Sequence, residues 1–105
     1  MSQLSGKKDV WTVEENSAIV EAYFEMLTEE IAGRPYSKTA VRRRLQKDVL
    51  LGRSDASIEF KLQNISAILD EHIKFFLTGY RPAINVQNAL RDAVEKRLRV
   101  EGLID

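Results

Sequence analysis

Apolar residues recur at helical spacing along most of the chain. Val13, Val20, Phe24, Leu27 and Ile31 fall on one side at about 100° per residue, with Tyr23 beside them. Glu21, Glu25 and Glu29 stack along another side. Thr12 and Glu15 have capping-box spacing, in which each side chain satisfies the other's backbone amide. Trp11 precedes that cap, Gly33 suits a C-terminal cap, and Pro35 stops the helix, so the pattern predicts a helix over 13–31. Ser37 can cap a second helix over 38–48, with Ala40, Val41 and Leu45 as a modest apolar face. Gly52 then breaks the pattern, and Ser54 or Asp55 can cap a third helix starting near Ala56. Ile58, Leu62, Ile65 and Leu69 give it a tight stripe. Phe60 and Ala67 lie opposite, so the C-terminal segment is expected to cover Phe60. The stretch "HIKFFLTG" reads as a further short helix or the end of the third, closing at Gly79. Pro82 marks a connector, and Asn85 can cap a last helix over 86–100, with Val86, Leu90, Ala93 and Val94 inward.

The expected architecture is therefore all-α: a flexible tail over 1–10 and one helical domain over 11–105. Within it, 11–70 forms a three-helix helix-turn-helix core and 71–105 a C-terminal extension of one or two helices. Trp11, Phe24, Leu27, Leu45, Ile58, Leu62, Ile65 and Leu69 are the expected core. A chain of 105 residues can bury such a core without staples.

The absence of cysteine excludes disulfides and thiolate metal sites, and the lone histidine, His72, cannot build a histidine-rich one. No apolar run reaches the roughly 20 residues of a membrane span, and the first residues lack a signal-peptide core, so a cytoplasmic protein without membrane contact is expected. Net charge is zero, but its distribution is uneven. Residues 9–33 carry seven acids and no base; residues 34–64 carry eight bases against three acids.

Candidate chemistry is sparse. Ile58, Phe60 and Leu62 alternate with Glu59 and Lys61, and Glu-x-Lys on one strand face would be the carboxylate–lysine half of a Mg²⁺-dependent nuclease site. That reading needs a sheet, which no other segment offers. No Ser/His/Asp set and no glycine-rich phosphate loop is present. No catalytic residue, cofactor or metal is therefore assigned. The basic middle offers more. Arg42, Arg43, Lys47 and Arg53 could hold phosphates, with Ser54 at the third helix N-terminus. Ser57, Lys61 and Asn64, at i, i+4 and i+7, would then face the groove of double-stranded DNA. The same arginines also read as a solvated helix face paired with the acidic stripe of the first helix.

"WTVEEN" opening a long helix, followed later by "GRSDASIEFKLQNI", resembles the Myb/SANT-type three-helix domain, in its lengthened trihelix form. Trp11, Thr12, Glu14 and Glu15 match the first signature, with Asn16 in place of the usual acid; Gly52, Arg53 and Ser54 match the turn into the third helix. The resemblance covers residues 11–70 and implies that residues 55–69 read the major groove. The family's second and third core tryptophans are missing, with Tyr36 and Leu62 or Ile65 in their stead. SANT-type relatives often bind proteins rather than DNA, and the acidic Glu21/Glu25/Glu29 stripe of the first helix would serve a basic partner, or the C-terminal helix a second copy. The pattern with "GYRP" also resembles an N-terminal targeting segment of bacterial restriction-type or HNH nuclease proteins, which implies a fused catalytic domain. The expected function is non-catalytic DNA binding, with protein interaction as the alternative.

Overall fold

The structure is a computed structural model and describes residues 10–105. The tail expected over 1–10 therefore lies, except for Val10, outside the described residues. Four helices follow in order: α1 (Val13–Ile31), α2 (Lys38–Gln46), α3 (Asp55–Ile73) and α4 (Asn88–Val100). No strand occurs among the described residues, so the chain is all-α and "SIEFKL" lies inside α3.

α1 starts at the expected capping box. Glu15 N–H donates to Thr12 Oγ1 at 3.1 Å, and Thr12 N–H donates to Glu15 Oε1 at 2.9 Å. Its buried surface is broad, from Ile19 and Val20 round through Tyr23 to Met26 and Leu27, because α3 and α4 both pack on it. Val13 and Ile31, expected on the core side, are exposed: they sit at the helix ends, beyond the reach of those partners. α2 is capped by Ser37 Oγ, which accepts from Ala40 N–H at 3.0 Å. It ends at Gln46, two residues short of expectation, and gives way to turns that seat Leu50 in the core and reach Gly52 at φ 87°.

Ser54 caps α3, its Oγ accepting from Ser57 N–H at 3.1 Å. Ile58, Leu62, Ile65 and Leu69 are buried as a stripe, with Ile68 beside them. α3 ends at Lys74, in the left-handed region at φ 57°, so no helix continues to Gly79. The chain turns there because Leu77 seats in the core, its N–H donating to Tyr23 Oη at 2.9 Å. Tyr23 Oη also lies 2.8 Å from Ser66 Oγ. Burial pushes that phenol up to about 12.

Residues 81–87 then form a non-helical strap beside α3, with Ala83 N–H donating to Gln63 O at 3.1 Å. This strap lies on the Lys61/Asn64 side of α3. Phe60 is consequently 44 % exposed, against the expectation that the C-terminal segment covers it. Asn85 adopts φ 73° and caps nothing; α4 begins after Gln87, whose side chain accepts from Lys61 Nζ instead of capping. Leu90, Val94 and Leu98 bury the inner face of α4. All eight residues expected in the core are buried.

α1 and α4 run in the same sense. Their starts meet at Lys61, whose Nζ is 5.2 Å from the Trp11 ring centre and 3.1 Å from Gln87 Oε1. Their later turns meet where Arg97 pairs with Glu21 and lies 4.7 Å over the Phe24 ring.

Candidate functional site

The basic residues of the middle segment are largely engaged inside the fold. Arg53 is buried: Nε donates to Glu15 Oε2 and Nη2 to Glu15 Oε1, each at 2.8 Å, and Nη2 also reaches Val10 O. Its guanidinium stacks 4.9 Å over Trp11. The Arg53 hydrogen bonds hold the Glu15 carboxyl below its ordinary range against the opposing effect of burial. Lys61 is buried against the same indole. Desolvation, joined by the Arg53 charge, holds its ammonium below the ordinary lysine range, with Glu15 opposing. Asn64 is buried under the strap, its Nδ2 donating to Ala83 O at 2.6 Å and Ile84 O at 3.4 Å.

Arg53, Lys61 and Asn64 thus do not form the exposed, DNA-facing flank expected of them. Only the tertiary fold brings Glu15 and the strap against them. The capping role assigned to Glu15 is present, but the same carboxylate also receives Arg53. Ser54 is committed to capping α3, and the half-buried Ser57 donates Oγ–H to Ser54 O at 3.1 Å. Arg42 Nε lies 3.2 Å from Asp55 Oδ1. This is an ion pair by proximity, although Nε lacks a well-aligned hydrogen bond. Arg44 pairs with Glu25 at 2.9 Å, as the acidic stripe of α1 suggested. Arg43 on α2 and Lys47 at its C-terminal cap are exposed and form no ion pair among the described residues. The Glu59–Lys61 couple does not assemble on this helix. Lys61 turns inward to Trp11, while Glu59 lies 3.9 Å from Lys38 on the exposed side.

The other surface feature is a groove of about 470 Å³ between α1 and α4. Val13, Asn16 and Val20 form its α1 wall; Ala89, Ala93 and Val100 form its α4 wall. Val13 is 77 % exposed and Val100 72 %. Glu21, Asp92, Lys96 and Arg97 edge it. The carboxamide of Asn16 is only 3 % exposed, and its Oδ1 is fully enclosed without a hydrogen-bond partner. Leaving a buried polar group unpaired costs about 1–3 kcal/mol, so Asn16 is a costly residue beside the groove. Small alanines at i and i+4 on α4 leave room where a core helix would carry bulk. The sequence reading missed Asn16, treating it only as a departure from a motif. Its signal was the stripe Val13–Asn16–Val20, matched by Ala89–Ala93–Val100 on α4.

Among the described residues no group of His, Asp and Glu side chains is arranged to hold a metal ion, and no helix is long and apolar enough to cross a membrane. No family model, curated protein or solved structure matches the chain.

Proposed function

We propose that this chain is a non-catalytic interaction module that takes a protein partner on the α1/α4 groove. The observation that carries this reading is the open, mostly apolar channel between α1 and α4, with Val13 and Val100 exposed along it. Such a channel between two helices is the shape into which an amphipathic helix lays its apolar face. On this reading α1–α3 form a Myb/SANT-like core of the protein-binding kind, α4 adds the second wall of the groove, and a cytoplasmic setting fits the cysteine-free sequence.

A photo-crosslinking residue at Ser17, which is exposed and lines the groove, tests this directly. The expected outcome is protein adducts from Ser17 and none from Thr39, exposed on α2. Adducts from neither position would sink the reading.

Double-stranded DNA remains a second reading because Arg43 on α2 and Lys47 at its C-terminal cap stand exposed, with no ion pair among the described residues. It requires backbone contact through α2 rather than base reading through α3. Anisotropy of a labelled duplex at low and moderate salt tests it. Binding whose salt slope falls by roughly two in the Arg43→Ala, Lys47→Ala double variant would favour DNA.

A further inference from the structure

We draw no further inference here: the strongest candidate, the groove between α1 and α4, belongs to the site already described and nothing in the structure shows what covers it.

Discussion

Two asparagines in this molecule are almost equally buried, Asn64 at 1 % exposure and Asn16 at 3 %, and their surroundings differ completely. Asn64 donates to two carbonyls of the strap, Ala83 and Ile84, and helps fasten it to α3. Asn16 has an enclosed oxygen with nothing to accept from. The contrast extends to their neighbourhoods. Around Asn64, Lys61, Gln87, Trp11, Arg53 and Glu15 form a connected polar and aromatic cluster that ties the starts of α1, α3 and α4 together. Around Asn16 lies an open groove. The difference teaches that a polar residue on a helix flank is not evidence of a binding surface until its partners are counted. On the α3 flank Lys61 and Asn64 are buried with partners, whereas on α1 the enclosed Asn16 oxygen has none.

The largest test of that comparison is Arg53→Ala. It strands the Glu15 carboxylate in a buried position, and the expected loss is about 3–5 kcal/mol by urea denaturation. A loss below about 1 kcal/mol would mean the cluster is not the structural centre proposed here. The same pair sets an acid limit. Glu15 titrates lower in the folded chain than in the unfolded one, so its contribution is complete above the ordinary carboxylate range. That contribution is lost as pH falls through the lowered folded value. Stability curves of Glu15→Gln against pH should therefore lack part of the wild-type acid slope.

The direct comparison comes next. Asn64→Ala should cost about 1–3 kcal/mol, because it frees two strap carbonyls. Asn16→Ala should cost less than about 0.5 kcal/mol, since it removes an oxygen that already lacks a partner. Equal losses at the two sites would erase the distinction between them.

Lys61→Met should change stability by less than about 1 kcal/mol, because a buried charge gives way to an apolar stem of similar size. Burial lowers the lysine's folded value, so the folded chain binds its proton less tightly than the unfolded chain. Wild-type stability should thus gain from this group as pH rises from the folded value to the ordinary lysine value, and Lys61→Met should remove that gain. The smallest effect is expected at Arg44→Ala, an exposed pair with Glu25, at under about 0.5 kcal/mol.

Most of the helical plan was legible in the residues. The Thr12–Glu15 box, Ser37, Ser54 and the Ile58–Leu62–Ile65–Leu69 stripe act within one or two turns, where a side chain meets its own backbone or its own face. The C-terminal third was read less well. Lys74 and Asn85 take left-handed conformations because the intervening chain must seat Leu77 and then return along α3, and no local pattern announces either demand. The basic block misled for a related reason: Arg53 meets Glu15 across 38 positions of sequence.

The sequence by itself determined the helices, their caps and their main apolar stripes, because those depend on interactions between residues three or four apart. Only the tertiary structure decided which enclosed polar side chain would find partners and which would not. That choice depends on where the strap and α4 come to lie. The strap gives Lys61 and Asn64 their partners, Asn16 is enclosed with none for its oxygen, and neither outcome is written in the spacing of the residues concerned.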